Sequence, residues 1–449
     1  MTNSLSIGLR TLLTVIMAFF VVFVNPVKAD VIYHAFNMPF QEIKNQLPEL
    51  KADGFTYIQI SPPQLSNPSP EWWGRYQPVD FTVIDSPLGN ENELKELIDA
   101  SHQQGLKVIV DVVLNHMAND GTHSDSLNYP HFSSRDFHPH VCIDNYDDHY
   151  QATHGWLGCN LPDLDTSSQY VRNEAKKYLT HLLDLGADGF RIDALKHIEE
   201  DYFRDVLSVV PEDVYLYGEI ISGNPNEAYM YTGIHGIDVT DYPLLNNLKG
   251  AFGPSGDLRS LISPQNVIRS ENAITFSKTH DTIPDKGKCE GLCQGYNFDS
   301  RDQMLANAYL LGRAEGMPLM FRDDASDPIV KGGTTFHEEM MGKTQYFRNG
   351  NEIAPGADSP NLLFIERGNE GIAMINKSGN TFDVADAKMP GLDAGCYQEL
   401  HYNFPMSVSV GGDGQKRITR WGNNERGGIS IQPRDAMFFV KTSDNICVQ

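Results

Sequence analysis

Four short stretches carry the residue types that could do chemistry. In VIVDVVLNH (Val108–His116) the period-two alternation sets Asp111, Val113 and Asn115 on one face and Val110, Val112 and Leu114 on the other. In GFRID (Gly189–Asp193), Arg191 and Asp193 occupy a face that would otherwise be core, with Phe190 and Ile192 opposite. Glu219 closes VYLYGEI, and His280-Asp281 close ITFSKTHD. Charged groups in such places cost stability unless they pair or bind something. A single Asp or Glu is ordinarily a solvated loop residue or a helix cap. Three carboxylates at strand ends, joined by Arg191, His116 and His280, are what glycosidic bond cleavage needs: a proton donor, a nucleophile or water activator, and negative charge facing an oxocarbenium-like transition state.

The elements that must position these groups follow from the hydrophobic pattern. Short β-branched or aromatic runs predict strands at Val31–Phe36, Tyr57–Ser61, Lys107–Asp111, Gly189–Asp193, Val214–Glu219, Gly236–Thr240, Ile274–Asp281 and Pro318–Arg322. Helical spacing recurs between them, as in Glu91–Gln104 and Ser168–Leu185. Eight strands, each followed by helix or loop, predict an α/β fold of the (β/α)8 TIM-barrel type, whose active site forms at the carboxyl ends of the strands. The gaps fit: Asp193 to Glu219 is 26 positions, about one βα unit, and Glu219 to Asp281 is 62, about two.

One connection is too long for a βα loop. The stretch from Asn115 to about Asp165 is rich in His, Asp, Asn and Tyr and predicts a small domain inserted after strand 3. Past a last barrel helix near Tyr346, a linker at 350–360 leads to short strands separated by Gly and Asn turns, which predict a C-terminal antiparallel β-sandwich. The expected domains are a barrel of 30–116 and 166–350, an insert of 117–165 and a β domain of 351–449.

The 449 residues are 40% hydrophobic and 21% charged, ordinary globular values that exclude disordered and collagen-like chains. A formal charge of −24 repels nucleic acid and anionic membrane, and points to a neutral or cationic partner. Residues 1–29 read as a secretory signal: Arg10, an apolar run Thr11–Val24, and Val27-Lys28-Ala29 before a mature start near Asp30. The apolar run is shorter than the ~20 residues of a membrane span, and nothing similar follows, so no membrane attachment is expected after cleavage. Six cysteines then face an oxidising compartment. They allow 15 pairings, of which the local spacings favour 142–159, 289–293 and 396–447. A zinc reading of Cys289 and Cys293 lacks two further clustered ligands.

DVVLNH (Asp111–His116), GFRIDALKH (Gly189–His197), GEI (Gly218–Ile220) and FSKTHD (Phe276–Asp281), in that order, resemble the four sequence regions of the α-amylase family, glycoside hydrolase family 13. LPDLD (Leu161–Asp165) resembles its fifth. WWGRYQP (Trp72–Pro78) with GNENEL (Gly89–Leu94) is similar to secreted α-amylases of the animal-like and related bacterial type. The resemblance spans roughly 31–345. It implies Asp193 as nucleophile, Glu219 as general acid/base and Asp281 as the carboxylate that stabilises the transition state. Arg191 would orient Asp193 and keep it ionised, His116 and His280 would bond the sugar in the cleavage subsite, and Lys196 and His197 would contact the next. Tyr76 and Trp73 would stack on sugar faces, and Gln77 would bond a neighbouring ring. A Trp-Trp pair in a Gly/Pro/Ser-rich loop suits that task, since flat rings match the CH-rich faces of glucose.

The resemblance also implies one calcium between barrel and insert, held by Asn115, Asp163, the backbone carbonyl of His197 and an oxygen near Thr153, an all-oxygen set suited to a hard cation. Animal-like members bind chloride as well, through the arginine matching Arg191, an Asn just before the region-four His, and a further Arg or Lys. Thr279 replaces that Asn, so chloride activation is doubtful, with Arg322 left as a partial third group. The resulting expectation is a secreted, monomeric, retaining endo-hydrolase of α-1,4-glucan. A transglycosylase or oligosaccharide-specific hydrolase of the same family is the rival, and a non-catalytic glucan-binding protein the remaining alternative.

Overall fold

A computed structural model describes residues 30–119, 129–354, 357–419, 429–443 and Cys447. The expected signal segment lies outside them. Among the described residues no helix is long and apolar enough to cross a membrane.

Eight parallel strands close into a barrel: β1 (Ile32–Ala35), β2 (Tyr57–Ile60), β3 (Lys107–Val112), β4 (Gly189–Ile192), β5 (Tyr215–Gly218), β6 (Asp238–Thr240), β7 (Ala273–Thr275) and β8 (Met317–Phe321), with β8 pairing back on β1. Their alternation builds two cores. Phe190, Ile192, Val108 and Val110 pack outward against the helices. Ile32, Tyr57, Ile109, Tyr217, Ile274 and Leu319 fill the inside. One inward step toward the carboxyl ends, Ile109 gives way to Asp111, which sits in register with Arg191 of β4. The apolar barrel filling thus ends directly under a polar layer.

The helices that matter below are α1 (Phe40–Ala52), α2 (Glu91–Gln103), α3 (His149–His154), α4 (Gln169–Leu185), α5 (Glu200–Val206), α6 (Tyr242–Phe252), α7 (Ser300–Gly312) and α8 (Pro328–Glu339). Asn90 and Glu93 form a capping box on α2, the reciprocal bonding that the Asn-x-x-Glu spacing favours.

Strand β7 is shorter than the sequence suggests. The run Ile274–Asp281 was expected to be extended throughout, but the ladder stops at Thr275. Beyond it, the Thr279 N–H donates to Thr282 Oγ1 at 2.8 Å and the Thr282 N–H returns to the Thr279 carbonyl at 3.2 Å. This local turn replaces pairing to β6 and β8, so His280 and Asp281 ride on a loop that bends over the barrel mouth.

In the insert, His116 bridges to Asp163 and Phe137 to Leu164, while Cys142 and Cys159 form a disulfide beside α3. The other two disulfides join Cys289 to Cys293 and Cys396 to Cys447, the pairings that spacing favoured.

The C-terminal part is a seven-stranded antiparallel sheet, β9 (Gln345–Asn349), β10 (Leu362–Arg367), β11 (Gly371–Asn376), β12 (Gly395–Glu399), β13 (Pro405–Val410), β14 (Lys416–Thr419) and β15 (Asp435–Thr442), in the order β9-β10-β11-β15-β12-β13-β14. A two-stranded pair, Phe382–Asp383 with Ser430–Ile431, accompanies it, and Phe364, Met374, Val384, Ile431 and Phe439 share its core. The sheet takes in Gln345–Asn349, ahead of the boundary expected at 350, because β9 pairs with β10 along all five residues.

Two cations of this sheet reach into the barrel. Lys377 Nζ donates to the carbonyls of Ala251, Gly253 and Gly256 at 2.6–3.1 Å, at the end of α6. Arg367 donates to Gly312 O at 3.1 Å and Met340 O at 2.6 Å, at the ends of α7 and α8. Ala251 and Gly312 lie in the last turns of α6 and α7 and Met340 caps α8, whereas Gly253 and Gly256 follow α6, so both cations sit at helix C-termini, where the macrodipole is negative. Replacing Lys377 by Met is expected to cost about 2 kcal/mol, the scale of a buried hydrogen-bonded charge, read as a lower denaturant midpoint with an unchanged slope.

Candidate active site

Asp193 and Glu219 follow the last residues of β4 and β5 and are held there by continued ladder bonds, Asp193 N–H to Val112 O at 3.0 Å and Glu219 N–H to Ile192 O at 2.9 Å. Gly218 makes the approach possible: a Cβ there would lie 2.2 Å from Leu195 Cδ2. Between the two acids, Ala194 adopts the left-handed conformation (φ 48°, ψ 39°), a strain non-glycine residues accept mainly at functional sites. It turns the Ala194 N–H onto Glu219 Oε2 at 3.3 Å.

One guanidinium organises the floor. Arg191 Nη1 meets Asp111 Oδ1 at 2.8 Å and Asp193 Oδ1 at 2.7 Å, and Nη2 meets Glu219 Oε1 at 2.7 Å. The sequence suggested Arg191 as a partner of Asp193; the structure adds Asp111 and Glu219. Burial pushes all of these carboxyls above the usual range, and Arg191 pulls them back. Asp111 is raised to about 7. Among the described residues Asp281 has no arginine contact, and it rises well above its ordinary value, through burial first and Glu219 second. Acids this close titrate as a set rather than singly.

A cleft of about 310 Å3 opens over this floor, lined by Asp193, Glu219 and Asp281 together with Trp73, Tyr76, Gln77, His116, Lys196, His197 and His280. It runs into a second hollow of about 480 Å3 with which it shares Trp72, His280, Asp281 and Leu292. All the residues singled out as catalytic or substrate-contacting therefore meet in one place, except Arg191, which lies beneath it.

Their side-chain states are more particular than the sequence allowed. His280 is stacked between Phe36 (4.3 Å) and Tyr76 (5.1 Å), with Nε2 3.2 Å from Asp281 Oδ2. The Tyr76 hydroxyl donates to Asp111 Oδ2 at 3.0 Å. Both nitrogens of His116 already have partners: Nε2 pairs with Tyr76 O at 2.9 Å and Nδ1 with Asn115 Nδ2 at 3.3 Å. Burial lowers His116 to about 4, which keeps it neutral. Gln77 Oε1 accepts from Asn67 Nδ2 and Asn119 N–H, so it clamps two loops. Lys196 Nζ lies 2.7 Å from Glu227. Trp73 stands at the rim, 39% exposed, whereas Trp72 packs edge-on to His280 at 5.3 Å. The sequence showed Asp111 only as an inward polar group and Trp72 only as one of a Trp pair, without their partners Arg191 and His280, and gave no signal for Phe36, Ile221 or Leu292 at the site.

Next to the cleft, Asn115 and Asp163 are buried together. Among the described residues Asn115 Oδ1 has no hydrogen-bond partner, and burial pushes the Asp163 carboxyl well above its usual value. An unpartnered amide oxygen beside a buried carboxylate fits a cation with oxygen ligands. His197 is tied to the insert by its Nδ1, 2.9 Å from Ala152 O. The Thr153 hydroxyl donates to His149 O at 2.9 Å within α3.

Residues 39–241 match the family model for the alpha amylase catalytic domain. An alpha-amylase of Aeromonas hydrophila is 31% identical over 410 residues, covering 78% of this chain and 84% of that protein. An alpha-amylase of Clostridium acetobutylicum is 29% identical, covering 80% of this chain and 49% of that protein. Alpha-amylase I of Eisenia fetida, solved as a maltohexaose complex, superposes with a TM-score of 0.75 at 21% identity over 91% of this chain and 98% of that one. The fold and these relatives define a barrel glycoside hydrolase. Within that class, the chain belongs to the alpha-amylase family.

Proposed function

We propose that the protein is a secreted α-amylase that hydrolyses internal α-1,4-glucosidic bonds of starch, glycogen and malto-oligosaccharides with retention of configuration. The carrying observation is that Arg191 grips Asp193 and Glu219 at the floor of an open trough, with Asp281 on its wall. Asp193 attacks the anomeric carbon. Glu219, which burial raises as a proton donor requires, protonates the leaving oxygen and then activates water for the second step. Asp281 supplies charge to the oxocarbenium-like state. Lys196, His197, Gln77, Tyr76 and Trp73 hold flanking sugars, and a bond from His116 to a sugar hydroxyl requires it to release Tyr76 O or Asn115. A trough that continues past Trp72 suits a chain threaded through it. The test is the product profile on soluble starch, with rapid viscosity loss and α-anomeric malto-oligosaccharides expected. Cyclic or lengthened products identify the transglycosylase instead.

Asn115, Asp163 and the His197 carbonyl would hold calcium, with an oxygen near Thr153 completing the set. The ion would supply only the charge that fixes insert to barrel. Prolonged chelation is expected to lower melting temperature and activity together, with calcium restoring both; an unchanged melting curve in strong chelator removes the site.

Chloride is expected to matter little. Arg191 is engaged by three carboxylates. The cavity beside it, lined by His34, Tyr242 and Thr279, measures about 10 Å3, no more than one water needs. Activity in chloride-free buffer should rise less than about tenfold on adding chloride, under ~1.4 kcal/mol in barrier. The three disulfides suit an oxidising, extracellular compartment.

A further inference from the structure

We propose that His138, His154 and Glu199, with Asp165 beside His138, form a second metal site, selective for a borderline divalent cation of the zinc class, which fastens the inserted segment to the barrel. One ligand atom each from His138, His154 and Glu199 lie within 4.8 Å of one another. His154 Nε2 is 3.4 Å from Glu199 Oε1, and His138 Nε2 is 3.6 Å from Asp165 Oδ1. Bonds of about 2.1 Å at a tetrahedral angle set ligand atoms roughly 3.4 Å apart, so the His154–Glu199 contact has the spacing of two ligands on one ion, while Asp165 stands outside the group of three and approaches His138 alone.

The outer bonds prepare each donor. His138 Nδ1 lies 2.6 Å from Asp163 Oδ2; with Asp163 ionised, that contact holds the proton on Nδ1 and leaves Nε2 its lone pair. The Thr153 hydroxyl spends its proton on His149 O, and its oxygen, 2.9 Å from His154 Nδ1, accepts from that ring. His154 is thereby set in the same tautomer, again with Nε2 turned inward. The Thr166 hydroxyl donates to Glu199 Oε2 and leaves Oε1 facing His154. Histidines held through the remote nitrogen by a carboxylate or hydroxyl are the usual arrangement around bound zinc.

Two imidazoles and the Glu199 carboxylate make a mixed nitrogen and oxygen set, unlike the oxygen-only pair Asn115 and Asp163, and so select a different cation. Asp163 links the two places, since its Oδ2 takes His138 while its neighbour is Asn115. Entry is open. A hollow of about 150 Å3 reaches His138 and His154 beside Tyr150, which stacks on His154 at 4.1 Å. His138, His154 and Asp165 belong to the insert, whereas Glu199 precedes α5 in the loop that follows Asp193, so the ion would span the two.

The experiment uses the full mature chain without a histidine tag, chelator-stripped and returned to millimolar calcium, and titrates ZnCl2 calorimetrically. One equivalent is expected to bind with a dissociation constant on the order of micromolar or tighter, and cobalt in its place should show an intense tetrahedral visible spectrum. His154→Gln and Glu199→Gln should each weaken zinc at least about tenfold while keeping the calcium-dependent melting point and zinc-free starch hydrolysis. If His154→Gln fails to fold, Glu199→Gln carries the test. Substoichiometric binding, a constant weaker than about 100 μM, or unchanged affinity in the folded variants overturns the proposal, the last by placing zinc at other carboxylates.

Discussion

Asp193→Asn and Glu219→Gln will each fold with near-normal melting temperature, still bind malto-oligosaccharide, and lose at least about three orders of magnitude in kcat, roughly 4 kcal/mol of transition-state stabilisation. The expectation of intact folding rests on the floor of the cleft. Each substitution is isosteric and removes one negative charge from a group in which burial already disfavours charge. The loss of rate follows from chemistry alone: an amide neither attacks the anomeric carbon nor carries a proton to the leaving oxygen. Retention of more than about a tenth of the wild-type rate by either variant, a loss under ~1.4 kcal/mol, removes that residue from the role given to it.

Arg191→Met should do the opposite, damaging the fold as much as the catalyst. It leaves Asp111, Asp193 and Glu219 buried with no counter-charge, and breaking a buried ion pair from one side costs about 3–5 kcal/mol. The pH dependence gives a second reading. Arg191 is what lowers these acids, so without it their folded-state pKa values climb further above the unfolded ones. Groups raised in this way favour folding when protonated, and the advantage is lost as pH rises through the folded value. The deficit in melting temperature should therefore be largest near pH 8 and shrink toward pH 5. A deficit independent of pH would show that lost packing, not uncompensated charge, is the cause.

Much of the barrel was readable because its strands end where the alternation turns charged. Lys107–Val112, Gly189–Ile192 and Tyr215–Gly218 lie where β-branched and aromatic runs meet Asp, Arg or Glu. The same rule overreached at β7, since Phe276-Ser277-Lys278-Thr279 alternates like a strand, and only the bonds between Thr279 and Thr282 reveal the turn. Asp111 was visible as an inward polar group, but its partner is 80 positions away, and the register of β3 against β4 is what joins them. Trp72 and Trp73 are adjacent in a loop without periodicity. The short 3-10 helix Trp72–Tyr76 decides that the first turns toward His280 and the second to the rim.

The cations Lys377 and Arg367 bear on how freely this architecture can be recombined. Each sits on the C-terminal sheet yet completes helices of the barrel, so between them they serve the ends of α6, α7 and α8. Domain exchange among relatives is usually judged by whether apolar faces fit. Here a foreign sheet with a matching apolar face but no positive charge at these two places would leave those helix ends without their charged donors, while one carrying both would dock in a single register. The junction is keyed by polarity, and a chimera that ignores the key should be made soluble more easily than it is made stable.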